Sequence, residues 1–178
     1  VPPLELLSHR TIWSFIFFFV VLGFVGRIKE LWSAIFSFRG HFLVILLSSL
    51  LIAVNWFFFI YAIQTNQTTE ASLGYFMMPL VTVIWGLVIF KEKLSIYQWL
   101  SVLLAFVAVC ILTFGLGVPP SIALILSFSF SIYAVLKKKL KISPIVSVTG
   151  EVLVLVPIGL FLLAYFHMDG QGSFGADW

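Results

Sequence analysis

Six long apolar stretches run along the 178-residue chain, and short polar segments separate them. Each stretch has about the 20 residues that an α-helix needs to cross a bilayer. The predicted spans are Leu4–Val25, Phe42–Gln64, Glu70–Lys91, Ser95–Phe114, Pro120–Leu136 and Val146–His167. The fifth span is the shortest. The pattern therefore predicts an all-α fold, a polytopic membrane helix bundle with six transmembrane helices.

A shorter helix is predicted between the first two spans. Ile28, Leu31, Trp32 and Ile35 recur there at helical spacing among basic residues. An amphipathic helix of this kind lies in the membrane interface, here on the inner leaflet, and we expect it to serve as scaffold.

Nine of the ten Lys and Arg residues lie in three of the segments between spans. These residues are Arg27, Lys29 and Arg39, then Lys91 and Lys93, then Lys137, Lys138, Lys139 and Lys141. The intervening segments, Thr65–Glu70 and Gly115–Pro120, contain neither residue type. Because short cytoplasmic loops retain positive charge, the basic segments are predicted to lie inside and both chain ends outside. Only Arg10 departs from this pattern.

Composition excludes most other classes of protein. Hydrophobic residues make up 62% of the chain and charged residues 10%, too few charges for a water-soluble surface. The net charge of +3 is dispersed among spans, so we expect the lipid bilayer as partner and no nucleic acid. The single cysteine, Cys110, excludes an intrachain disulfide. Catalytic sets, phosphate loops and metal clusters are not recognisable, so no enzyme, cofactor or metal is expected.

Polar side chains inside spans are informative because hydrocarbon offers them no partner. Glu5 and His9 lie one turn apart at the outer end of the first span, and Arg10 adjoins them. They form either an interfacial ion pair or a charged cluster at the outer mouth of a cavity, able to hold an anionic or polar group.

The second span carries Asn55 and Trp56 near its middle. An asparagine there either crosslinks two helices or lines a substrate cavity. In the third span, which begins at Glu70, close helix approach is allowed by the small residues Ala71, Ser72 and Gly74. Pro79 frees the carbonyl of Tyr75, next to that residue's phenol. This kink is either a binding feature or a packing device.

Glu151 is an acid well inside a span, one or two turns from the inner end of the sixth, and Pro157 follows near the centre. It either takes up and releases a proton as access changes or pairs with a lysine at the interface. Tyr133 lies near the same predicted level and could share the site.

Several motifs resemble the RarD-like branch of the EamA family, in the drug/metabolite transporter superfamily. They are Glu5–Ser14, Asn55-Trp56 with Tyr61-Ala62, Glu70–Phe76 with Pro79-Leu80, Lys91–Leu94 with Gln98-Trp99, and Glu151 with Pro157. The Glu-Ala-Ser-Leu-Gly-Tyr-Phe run is the most specific of them. The resemblance extends over nearly the whole chain, apart from the tail after about Asp169.

The resemblance implies ten helices in two inverted five-helix repeats, with a substrate site between them. Residues 1–117 would then be helices two to five of the first repeat, and 118–168 the first two helices of the second. Residues 169–178 would be a short polar tail, truncated or disordered. The chain, which opens Val-Pro-Pro, is expected to be a fragment that does not transport by itself.

The expected function is transport of a small metabolite or drug-like molecule across the cell inner (plasma) membrane by alternating access, coupled to protons. The alternative is a non-transporting membrane scaffold or assembly protein. A homo-oligomer is left open. The candidate pathway residues are His9, Arg10, Asn55, Tyr75 and Glu151, followed by Glu5, Trp56, Glu70, Pro79 and Tyr133.

Overall fold

The structure is a computed structural model that describes residues 1–36, 41–117, 120–140, 142–169 and 172. Its helices are α1 (Pro3–Phe24), α2 (Ile28–Phe36), α3 (His41–Gln64), α4 (Thr68–Phe90), α5 (Ile96–Leu116), α6 (Ser121–Lys139) and α7 (Pro144–Met168). All but α2 are long and apolar enough to cross a membrane, and they coincide with the six predicted spans. The described residues contain no strand. The all-α, multi-pass prediction is confirmed. Arg39, Lys141 and most of the predicted tail lie outside the described residues.

Helix ends follow local chemistry. Pro3 and Pro144 lie in the first turns of α1 and α7, where a missing N–H costs no helical hydrogen bond. The side chains of Ser95 and Gln98 each accept a hydrogen bond from the other's backbone N–H, a capping box that begins α5. Helix α4 ends at Phe90, and the next residue, Lys91, has a left-handed backbone with φ of 51°.

Helix α6 runs three residues beyond its predicted end at Leu136, through the lysine run to Lys139. Lysine is a good helix former, so the apolar pattern alone places the end too early. At 19 residues α6 is still the shortest of the six long helices, as predicted.

The chain divides into two compact units, one built from Val1–Ala53 with Lys139–Trp178 and the other from Val54–Lys138. In the first unit, α1 and α7 pack against each other along their length. A Cβ added at Gly159 would stand 3.6 Å from the carbonyl oxygen of Ser8, and Leu22 shares a buried cluster with Val146. Ser8 is early in α1 and Gly159 late in α7, whereas Leu22 is late in α1 and Val146 early in α7. The two helices are therefore antiparallel.

Helix α2 packs on α7 through one face only. Leu31 and Ala34 are buried in the first unit's core, whereas Trp32 and Phe36 are exposed and stack with their ring centroids 5.7 Å apart. The predicted amphipathic helix therefore exists, although Trp32 belongs to its exposed face.

In the second unit, α4 and α6 run parallel. Glu70 contacts Ile122 near the start of both helices, and the carbonyl of Met78 contacts Ser131 further along. The second half of α3 runs antiparallel to α6, since Asn55 bonds Ser129, whereas Ala62, later in α3, shares a buried cluster with Ile122. Helix α5 packs on α4. These directions are those that spans crossing the membrane alternately require.

Candidate functional site

A buried carboxyl group lies two turns inside α7, at Glu151, which is 2% exposed. The hydroxyl of Ser147, one turn earlier, donates a hydrogen bond of 2.9 Å to Glu151 Oε1. The adjacent Gly150 packs against apolar side chains, because a Cβ there would stand 3.5 Å from Leu31 and 3.6 Å from Ile45. Acidic side chains are rare within membrane helices and commonly mark a functional site, so Glu151 is a candidate functional group.

Sequence reasoning missed a second polar group in this unit. Ser48 is fully buried, and its hydroxyl has no hydrogen-bond partner among the described residues. It lies one turn after Ile45, which packs at Gly150, so it belongs to the same face of α3. The signal in the sequence was the pair Ser48-Ser49 inside an apolar span, but nothing in the sequence shows which of the two hydroxyls remains unbonded.

The polar residues at the start of α1 differ in burial. Glu5 is fully buried, His9 is half-buried and Arg10 is exposed. They flank Ser8, which packs at Gly159, about two turns beyond Glu151 along α7. Glu5 and Ser8 therefore lie towards the opposite end of the α1–α7 pair from Glu151.

Asn55, which is 1% exposed, bonds α3 to α6. Its side-chain amide donates to the carbonyl of Leu126 at 2.9 Å and to the hydroxyl of Ser129 at 3.1 Å. These are the contacts that a helix crosslink makes. The neighbouring Trp56 is half-buried.

Tyr75, which belongs to α4, packs against the side of α3 that carries Asn55. Its ring packs edge-on against Phe59, one turn after Asn55, with centroids 5.7 Å apart, and the residue remains 44% exposed. The structure therefore brings these two candidates into one neighbourhood of the second unit.

Two hydroxyl groups lie beside Pro79, which is inside α4. Thr82 and Ser131 both donate to the carbonyl oxygen of Met78, at 2.8 and 3.2 Å, and their hydroxyl oxygens are 3.0 Å apart. Pro79 itself is exposed. The backbone carbonyl just before Pro79 therefore accepts one hydroxyl from its own helix and one from α6.

Glu70 has a local structural task that its sequence position does not reveal. Its carboxylate accepts a hydrogen bond of 3.1 Å from the backbone N–H of Ile122, in the first turn of α6. Those first N–H groups lack partners within their own helix and attract negative charge. Gly74, one turn later, fits against Ala123, as the predicted close helix approach requires.

Tyr133 lies in the second unit, close to the lysine run. The ammonium group of Lys137 is 5.5 Å from the centroid of its ring, and the Phe130 ring packs beside it. Across the described ranges, no three His, Cys, Asp or Glu side chains are grouped to hold a metal ion.

Comparison with known proteins identifies the family of this membrane helix bundle. The model of the EamA-like transporter family matches residues 1–114, from the start of the chain into α5. The chain belongs to the EamA-like transporter family. Its resemblance to the RarD-like branch is also confirmed by its relatives.

Three relatives illustrate the similarity. The chain is 38% identical to the uncharacterized transporter YojE of Bacillus subtilis, covering 100% of this chain and 61% of that protein. It is 36% identical to Protein RarD of Streptomyces exfoliatus, over 97% of this chain and 54% of the relative. It is 36% identical to Protein RarD of Escherichia coli K12, over 92% and 55%. The chain thus spans between half and two thirds of these relatives. No solved structure matches it.

Proposed function

We propose that the protein to which this chain belongs is an inner-membrane permease that moves a small metabolite or drug-like molecule by alternating access, coupled to protons. In this proposal α1, α3, α4 and α5 are helices two to five of a first five-helix repeat. Helices α6 and α7 begin an inverted second repeat, and residues 169–178 follow as a polar tail. The family membership and the six apolar helices support this assignment.

The buried carboxyl of Glu151 is the observation that carries the proposal. Among the acids inside membrane helices, those in carriers commonly bind and release protons or hold a cationic substrate group. Glu151 is 2% exposed, accepts a hydrogen bond of 2.9 Å from the Ser147 hydroxyl, and follows Gly150, which packs against Leu31 and Ile45. We assign it the role of proton or substrate partner.

The remaining candidates take supporting roles. His9 and Arg10 act at the outer mouth, where the exposed guanidinium meets arriving solute. Asn55 and Tyr75 form part of the wall of the substrate cavity and offer hydrogen bonds to the solute. We add Ser48, whose buried hydroxyl has no hydrogen-bond partner among the described residues. Because buried polar groups are seldom left without a partner, this hydroxyl bonds a solute or a water molecule.

Uptake by the full-length protein in proteoliposomes tests the proposal. A panel of labelled metabolites is offered with and without an imposed pH gradient. Chloramphenicol is included because one Pseudomonas aeruginosa relative is named "Chloramphenicol-sensitive protein RarD". We expect at least one solute to accumulate in response to the gradient, and Glu151→Gln to abolish that response while insertion continues. Glu30→Gln, at an exposed acid on α2, is the control. Unchanged pH dependence in Glu151→Gln contradicts the proton role.

The alternative function is a non-transporting scaffold or assembly protein, and the bonds from Asn55 to α6 favour it, since they need no solute. Under this alternative, replacing the polar residues lowers the folded yield, and no panel member crosses the membrane in any variant.

A further inference from the structure

The parallel pair α4 and α6 is held tightly at the N-terminal ends of both helices. The Glu70 carboxylate, 6% exposed, accepts the N–H of Ile122. At Gly74, a Cβ would stand 3.0 Å from the Cβ of Leu126 and 3.1 Å from the backbone of Ala123. This end is therefore buried and closely packed, and separating it would expose an unbonded carboxylate and a helix N-terminus.

The C-terminal ends of the same helices are held differently. Glu92, just after α4, pairs with Lys138 of α6 at 2.6 Å, and the two side chains are 48% and 58% exposed. The Lys138 ammonium also lies 4.3 Å from the centroid of the Phe90 ring. Exposed ion pairs contribute little to stability because water and salt screen them. This contact therefore breaks far more easily than the contacts at Glu70 and Gly74.

The backbone after α4 directs Glu92 towards α6. Lys91 adopts the left-handed conformation, and the N–H of Glu92 then bonds back to the carbonyl of Gly86 at 3.4 Å. A Cβ at Gly86 would stand 3.0 Å from Glu92 Oε2. The missing side chain at Gly86 thus makes room for the carboxylate that reaches Lys138.

A cavity of about 200 Å³ lies beside this ion pair. Thr82, Gly86, Phe90, Ala134 and Val135 line it together with the paired side chains of Glu92 and Lys138. This space lies between two helices whose C-terminal ends meet at an exposed lysine, and it would widen if those ends moved apart.

We propose that Glu92 and Lys138 form a latch at an inner-face gate, and that α4 and α6 separate at their C-terminal ends while their N-terminal ends stay joined. The basic residues beside the latch assign this end to the cytoplasmic face. The claim that this separation opens a substrate gate rests on the proposed transport function. The claim that the two helix ends separate does not. Breaking the latch admits water to the cavity from the inner side.

Thiol labelling of the full-length protein tests the latch without any substrate. Ala134→Cys, in a background free of other cysteines, reports on the cavity in inside-out vesicles treated with a membrane-impermeant maleimide. Glu92→Gln and Lys138→Gln should each raise its labelling rate by about threefold, the range that loss of an exposed ion pair allows. Exchanging the charges, Glu92→Lys with Lys138→Glu, should restore the parent rate.

Two controls keep the result specific. Lys139→Gln, beside the latch, should leave labelling unchanged. Ser127→Cys, buried nearer the tight end of α6, should stay slow to label in every variant. The proposal is overturned if Glu92→Gln and Lys138→Gln label at the parent rate, or if the exchanged pair labels as fast as the single variants while eluting as folded protein. Since labelling needs no solute, a failure here is separate from a failure to transport.

Discussion

The carboxylate of Glu70 in α4 accepts a hydrogen bond from the backbone N–H of Ile122, 52 residues later, and so caps the first turn of α6. A helix usually receives such a cap from its own N-cap residue. In this case the cap joins two helices, so it fixes both the start of α6 and the level at which α4 meets it.

Removing that carboxylate should destabilise the protein. Glu70→Ala leaves the Ile122 N–H buried without an acceptor, at a cost of about 1–3 kcal/mol. We expect the melting temperature in detergent to fall by about 2–4 °C for each kcal/mol lost. Glu70→Gln keeps an acceptor oxygen and should lose less. Equal melting temperatures for Glu70→Ala and the parent would refute the capping role.

Gly74 should not tolerate even a methyl group. Its added Cβ would stand 3.1 Å from both the Cα and the carbonyl oxygen of Ala123, which are backbone atoms that cannot rotate away. Gly74→Ala should therefore cost about 1–3 kcal/mol through overpacking. Gly115→Ala is the matched control, because a Cβ there meets nothing within 4 Å. A parent-like melting temperature for Gly74→Ala would show that the helices separate at no cost.

Gly159 should respond in the opposite direction. Its added Cβ would make ordinary contacts, 3.6–3.8 Å from atoms of Ser8, and it borders a cavity of about 60 Å³. Alanine is favoured over glycine in a helix interior by up to about 1 kcal/mol. Gly159→Ala should therefore match or exceed the parent's melting temperature, and a fall of several degrees would mean that α1 and α7 pack more closely than described.

Asn55 either crosslinks two helices or forms cavity wall, and measuring the melting temperature and the uptake of one variant distinguishes the two roles. If it crosslinks α3 to α6, Asn55→Ala should cost about 0.6–2 kcal/mol, as interhelical hydrogen bonds in membranes do. Uptake per folded molecule would then be preserved. If it forms cavity wall, uptake should fall while the melting temperature stays within a degree of the parent's. Ser101→Ala, at an exposed hydroxyl bonded within its own helix, is the control.

The periodic features of the chain were predictable from sequence. All six spans, the short α2 and the brevity of α6 follow from apolar runs and their spacing. The end of α6 was wrong by three residues because lysines continue a helix after the apolar run stops. The close approach at Gly74 was also anticipated from its small size.

Contacts between distant residues were not predictable in the same way. Glu70 was a candidate for the transport pathway, and its bond to Ile122 depends on the rotation and level of two helices. The same holds for Glu92 and Lys138, whose pairing needs the left-handed turn at Lys91. One sequence without tertiary contacts shows that a polar residue is present, but not which group faces it.

The measurement that tests the central claim most directly is solute-driven proton movement in proteoliposomes that contain a pH-sensitive dye. The full-length parent protein and Glu30→Gln should change the internal pH when a transported solute is added outside. Glu151→Gln, inserted to the same level, should leave it constant. An identical pH change in Glu151→Gln would contradict the account, because protons would then move with the solute without the carboxyl group of Glu151.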